Sequence, residues 1–189
     1  MTTTAPARPA GHAPGPADTP ATGAPAESVP ADELAMTPAG RAAAAASLFS
    51  RPFGELAEGE RFTTPSRTVQ EGDILQFADL TGDAHPQHVD HEWAAGSRFG
   101  EQIAHGLLVL SFAVGLLPLD PARVVALRRV GDAVFKQPVK IGDTLHVEGE
   151  ITRTQELDPE HGLVESRIRI VNQHGRLAVR AGVELVWRA

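Results

Sequence analysis

Three stretches in the second half of the chain alternate apolar and polar residues with period two. In Thr144–Thr154, Leu145, Val147, Gly149 and Ile151 share one face, and His146, Glu148, Glu150 and Thr152 the other. In Leu163–Asn172, Val164, Ser166, Ile168 and Ile170 alternate with Glu165, Arg167, Arg169 and Val171. In Arg176–Trp187, Leu177, Val179, Ala181, Val183, Leu185 and Trp187 share a face, with Val186 the exception on the other. Successive strand side chains point to opposite sides of a sheet, so the pattern predicts antiparallel strands with one buried face. His174-Gly175 supplies a tight turn between the last two. Ala122–Val134 reads as a further strand, interrupted by Gln137-Pro138. The apolar face of such a sheet must be buried against another element. Gly106–Leu117, ended by Pro118, is the obvious partner: it is apolar nearly all round a helix and is expected to be buried on most sides. Together these segments predict an α+β architecture of about five antiparallel strands wrapped around one central apolar helix.

The elements before that helix are shorter. Phe62–Val69 reads as a strand. Glu71-Gly72-Asp73 opens a helix with Ile74, Leu75, Phe77, Ala78 and Leu80 on its apolar face, and Thr81-Gly82 ends it. Asp83–Asp90 reads as a polar loop and His91–Ala95 as one helical turn. Residues 1–50 read as a disordered tail carrying one frayed helix at 40–49, because residues 1–40 hold 8 of the 15 prolines and no hydrophobic period. A single domain is expected over 51–189. The start lacks the basic cluster and apolar core of a signal peptide.

Composition narrows the function classes. With no Cys there is no thiolate nucleophile and no Cys-ligated metal. A net charge of −7, with 5% aromatic residues and no Tyr, argues against nucleic-acid binding. No apolar run reaches the ~18 residues of a membrane span. A cytoplasmic protein is the expectation.

The densest polar cluster is Asp83-Ala84-His85-Pro86-Gln87-His88-Val89-Asp90-His91, and Ile103-Ala104-His105-Gly106 leads directly into the apolar helix. Helix N-termini present free N–H groups and partial positive charge, which suit a carbonyl oxygen gaining negative charge. An Asp–His pair facing such a terminus is equipment for proton abstraction or hydration beside a carbonyl. Read singly, each residue has a plainer role: Asp83 in a turn, His88 or His105 as a structural hydrogen-bonding group, Ser111 bonded back to the i−4 carbonyl. Asp83, His85, His88 and His91 are also metal-ligand types. Pro86 breaks any helix that would align them, and steps of three residues rotate His91 away from His85, so no metal is expected.

Phe77–Asp90 resembles the hydratase-2 signature of MaoC-like dehydratases. Ile103-Ala104-His105-Gly106-Leu107-Leu108 is similar to that family's second motif, and Phe135-Lys136-Gln137-Pro138-Val139 with Ile141-Gly142-Asp143-Thr144-Leu145 to its strand-and-turn block. The resemblance spans residues 55–187. It implies a single hotdog fold, a homodimer, and cofactor-free, (R)-specific hydration of trans-2-enoyl thioesters or the reverse dehydration. The thioester would be carried on coenzyme A or on an acyl carrier protein. By the same resemblance Asp83 and His88 are the catalytic pair. The Gly106 N–H receives the thioester carbonyl, and Ser111 lies near the site. His85 and His105 complete the oxyanion or substrate-binding set. His85 departs from the pattern, standing where the family usually has the Asn that orders the loop. Arg128, Arg129, Lys136 and Lys140 are candidates for coenzyme A phosphates or an acidic carrier face, or else a solvated rim. Rival readings are a specialised biosynthetic dehydratase for an unusual acyl group, a hotdog thioesterase, and a non-catalytic acyl-binding subunit.

Overall fold

The computed structural model describes residues 37–189. The sheet is antiparallel throughout and built on four long strands: β3 (Val124–Phe135), β4 (Thr144–Asp158), β5 (His161–Asn172) and β6 (Leu177–Arg188). Two short strands, β1 (Arg61–Thr63) and β2 (Arg67–Thr68), both pair with β4. The order is β1-β4-β5-β6-β3, with β2 also on β4. β4 and β5 pair from Leu145 opposite Asn172 to Asp158 opposite His161, with register shifts between Ile151 and Arg153 and between Glu156 and Asp158. At the hairpin between β5 and β6, Gly175 adopts φ 70° and Asn172 Oδ1 accepts the N–H groups of His174 and Arg176.

The expected alternation is the burial pattern. Leu145, Val147, Ile151, Ile168, Ile170, Val179, Val183 and Leu185 are buried on the face that meets the helices. Leu163 and Val171, expected on the wet face of β5, are buried as well. The strand expected over Phe62–Val69 is split. Pro65 has no N–H for the ladder; beside it Thr64 bonds Val147 twice, N–H to carbonyl and Val147 N–H to the Thr64 hydroxyl, both 2.9 Å.

Helices α1 (Pro38–Phe49) and α2 (Glu71–Thr81) precede two short ones, α3 (Pro86–Val89) and α4 (His91–Ala95), and then α5 (Gly106–Leu116). Helix α5 buries Leu108, Val109, Leu110 and Ala113 in the core and is covered on most sides, as expected, with one side left open. Leu107, Ser111 and Gly115, four residues apart, form one exposed stripe, with Leu107 63% exposed. Asp83–Asp90 is likewise not all loop. Pro86 opens α3 instead of breaking it, because a proline at a first helical position gives up only an N–H that would have no partner.

The helix expected at 40–49 extends from Pro38 and is packed instead of frayed: Ala45, Leu48 and Phe49 join the core. Phe49 meets Phe62 edge-on at 5.2 Å and Trp187 at 5.3 Å, while Trp187 donates its indole N–H to the Arg51 carbonyl at 2.8 Å. The remainder of the expected tail, residues 1–36, lies outside the described residues. Among the described residues no helix is long and apolar enough to cross a membrane.

Gly149 makes room for β1. A Cβ built there would stand 2.1 Å from the Phe62 ring, so the ring lies directly on the β4 backbone. Gly149→Ala must displace Phe62 or bend β4. Overpacking of this kind costs about 1–3 kcal/mol, and denaturant unfolding should show a loss in that range without loss of secondary structure.

Candidate active site

Helix α2 ends at Gly82, whose φ of 77° reverses the chain and delivers Asp83 beside the start of α5. Thr81 reinforces the turn, donating its hydroxyl to Phe77 O at 2.7 Å and accepting the Asp83 N–H at 3.3 Å. Two residues on, His85 caps α3: its Nδ1 accepts the Gln87 N–H at 3.1 Å. That is the acceptor an Asn carboxamide would supply at a helix N-cap, so the substitution preserves local order. The His85 ring stands edge-on to Trp93 at 5.4 Å, in a shallow recess outside the main cavity.

The short α3 presents His88 to the segment before α5. His88 Nδ1 lies 2.7 Å from the Ile103 carbonyl oxygen. A carbonyl only accepts, so Nδ1 carries the proton and Nε2 of the neutral ring keeps its lone pair. His105 Nε2 lies 2.9 Å from the Asp83 carbonyl oxygen, and the same argument makes Nε2 its protonated nitrogen. The His88 and His105 rings stack at 3.9 Å, with 29° between their planes. Burial is the main cause holding His88 below the ordinary imidazole value of 6.5. The Ile103 carbonyl opposes that shift, and the neighbouring His105 adds to it. His88 is therefore neutral at pH 7.

Two glutamines that sequence reasoning did not single out fix this geometry. Gln102 Nε2 donates to His88 O at 3.1 Å, and Gln87 Nε2 donates to Glu101 O at 3.2 Å; both side chains are buried. On the other side, the Ala104 N–H donates to Val139 O at 2.8 Å. Segment 101–105 is thus clamped between α3 and the chain that follows β3. The signal in the sequence was only two polar residues beside apolar ones.

Asp83, His88, His105 and Gly106 line one cavity of about 520 Å³. Gly106 is the first residue of α5, so its amide has no acceptor within the helix. A Cβ there would come within 2.7 Å of the Phe135 ring, which walls the helix start. Ser111 is not brought to the cavity: it is exposed and donates to Leu107 O at 2.8 Å. Of the four candidate cations, Arg128 pairs with Glu184 at 2.8 Å, Arg129 with Glu165 at 3.3 Å, and Lys140 with Glu101. Lys136 alone of the four lines the cavity, together with Arg98, which the sequence reading did not name.

The metal set weighed from the sequence is not assembled. His91 is bound to Glu71 at 2.8 Å and His85 to the α3 backbone. Asp83, His88 and His105 do place one donor atom each within 4.8 Å of one another. One nitrogen of each histidine is already committed to a carbonyl, and the other His105 nitrogen, Nδ1, is buried without a hydrogen-bond partner among the described residues.

A family model described as MaoC like domain matches residues 53–173. Protein MaoC of Klebsiella aerogenes is 41% identical over 100 residues, covering 52% of this chain and 30% of that protein. The chain thus spans less than a third of that relative's length. An (R)-specific enoyl-CoA hydratase of Aeromonas caviae is 32% identical over 114 residues, covering 60% of this chain and 83% of its own. A solved Archaeoglobus structure, titled a monoamine oxidase regulatory protein, is 37% identical with a TM-score of 0.68, covering 73% of this chain and 94% of its own. With its antiparallel sheet, its apolar helix and this matched stretch, the chain belongs to the MaoC-like domain family and has the hotdog fold.

Proposed function

We propose that the chain hydrates trans-2-enoyl thioesters to (R)-3-hydroxyacyl thioesters and catalyses the reverse dehydration, with no cofactor. The observation that carries this reading is one cavity bounded by a carboxylate, a neutral imidazole with a free Nε2, and a helix-terminal amide. Hydro-lyase chemistry is also what the names of the related hydratases describe.

The thioester carbonyl accepts the Gly106 N–H, with the α5 dipole behind it. A water sits between Asp83 and His88. Nε2 of His88 takes one of its protons as the oxygen bonds to C3, while the O–H that stays on the oxygen donates a hydrogen bond to Asp83, which aims the attack. The double-bond electrons move towards C1 and the carbonyl oxygen, where the Gly106 amide holds the developing charge. The pair then returns a proton to C2, completing addition of one water. Dehydration retraces these steps. His105 is a positioning group: its bond to the Asp83 carbonyl ties the Asp83 turn to the residue preceding Gly106.

The reading also takes the chain as a homodimer. Among the described residues nothing pairs with the outer edge of β3, and Val125, Leu127 and Phe135 on that strand are 46%, 43% and 50% exposed. A second copy offering the same edge would satisfy its ladder groups and cover these side chains. Light scattering should give twice the chain mass, and Leu127→Glu should shift it towards the monomer; a wild-type monomer would refute the pairing.

Asp83→Asn and His88→Ala should each lower kcat/KM for a trans-2-enoyl-CoA by about 10²–10⁴-fold, followed as loss of the enoyl-thioester ultraviolet absorbance. Full turnover in both variants would contradict the assignment. The base is neutral His88, so kcat/KM should be level at neutral pH. It should fall as pH drops through the lowered His88 pKa, with a midpoint below 6.5; a midpoint above 6.5 would point to another group.

A further inference from the structure

Helix α3 carries His88 but cannot hold itself together. It is a single turn of four residues, Pro86–Val89, far below the length at which a helix persists alone. One of its N-terminal N–H groups is taken up by a side chain: His85 Nδ1 accepts the Gln87 N–H at 3.1 Å. A backbone N–H only donates, so Nδ1 must carry a lone pair. The cap therefore exists only while the His85 ring is neutral with its proton on Nε2. When the ring is protonated both nitrogens donate. Two donors then face each other at the start of α3, and the ring must turn away. An Asn carboxamide, the group that His85 replaces, accepts at every pH.

His85 is exposed, so solvent protons reach its ring. Among the described residues, Asp83, His88 and Arg98 are the charged or titratable groups that share its recess, and the His85 and His88 ring centroids are 6.2 Å apart. Trp93 of α4 meets the ring edge-on, but Asp90, His91 and Glu92 beside it do not line the recess; Asp90 accepts the Trp93 N–H at 2.9 Å and His91 is bonded to Glu71. We infer that His85 is a positioning residue that works as a proton-sensitive cap: protonating it releases the start of α3 and takes His88 out of its place against Ile103. The inference rests on the hydration reading above, in which His88 is the base. His88 is the third residue of the capped turn, and its own N–H donates to the His85 carbonyl at 2.8 Å, so a shift at the cap passes directly to it. Acid thus acts twice, once by filling the His88 lone pair and once by freeing the turn that aims it.

The test follows kcat/KM for a trans-2-enoyl-CoA from mildly alkaline to acidic pH in wild type, His85→Asn and His85→Ala, each scaled to its own alkaline value. The Gln87 amide is followed by NMR over the same range. His85→Asn keeps an acceptor, so its acid limb should be that of His88 alone. The wild-type limb should fall about 2–30-fold further, the population factor that loss of a side-chain N-cap represents. His85→Ala has no cap at any pH; it should lose a similar factor already at alkaline pH and then run parallel to His85→Asn. The wild-type Gln87 amide proton should move upfield through the acid limb, while that of His85→Asn stays in place. Scaled limbs that coincide in wild type and His85→Asn would overturn the inference, as would a wild-type Gln87 amide that does not move. If no enoyl thioester is hydrated while the Gln87 amide moves in wild type alone, the proton-sensitive cap stands and the hydration reading fails.

Discussion

The hydrogen bond from His88 Nδ1 to the Ile103 carbonyl, at 2.7 Å, sets the state of the whole site. It fixes the tautomer, aims Nε2 away from the backbone, and joins the turn bearing Asp83 to the segment that starts α5. That segment is held on its other side by the Ala104 bond to Val139. Helix α5 in turn is seated by Leu108, Val109, Leu110 and Ala113 in the core that the sheet encloses. The His88 imidazole, the Asp83 carboxylate and the helix-terminal Gly106 amide, from separate parts of the chain, therefore share one frame, the condition that the proposed catalysis needs.

The same frame explains which candidate residues do local work instead. Ser111 points along the exposed stripe of α5, and its hydroxyl is used by the Leu107 carbonyl. His85 spends its acceptor on α3. His105 is buried, and its Nε2–H is used on the Asp83 backbone. His85 and His105 bond backbone beside Asp83 and His88, whereas Ser111 bonds only its own helix.

Much of this was legible in the sequence where burial is one-sided. Leu145 to Ile151 and Val179 to Leu185 alternate because one sheet face is dry, so period two survives in the residues. Helix α2 was bounded correctly because Gly82 is needed for a left-handed φ of 77°. Legibility failed where context outweighs local pattern. Pro65 splits a strand whose side chains still read as extended. Pro86 starts a helical turn because a histidine caps it. The alanine-rich α1 has little apolar signal of its own and is held by Phe49 against Phe62 and Trp187. The proposed pair, Asp83 and His88, stands five residues apart within one polar cluster that the sequence displays. The parts played by Gln87 and Gln102 were not legible there, since they depend on segments that meet only in the folded chain.

The central claim is that water is added to C3 of an enoyl thioester from the Asp83–His88 side. The most direct test is to incubate the protein with a trans-2-enoyl-CoA in deuterium oxide and determine the mass and chirality of the product. The account predicts an (R)-3-hydroxyacyl-CoA carrying one solvent deuterium on carbon at C2. Release of free coenzyme A thiol and the intact enoic acid would instead place the attack on the carbonyl carbon and contradict it.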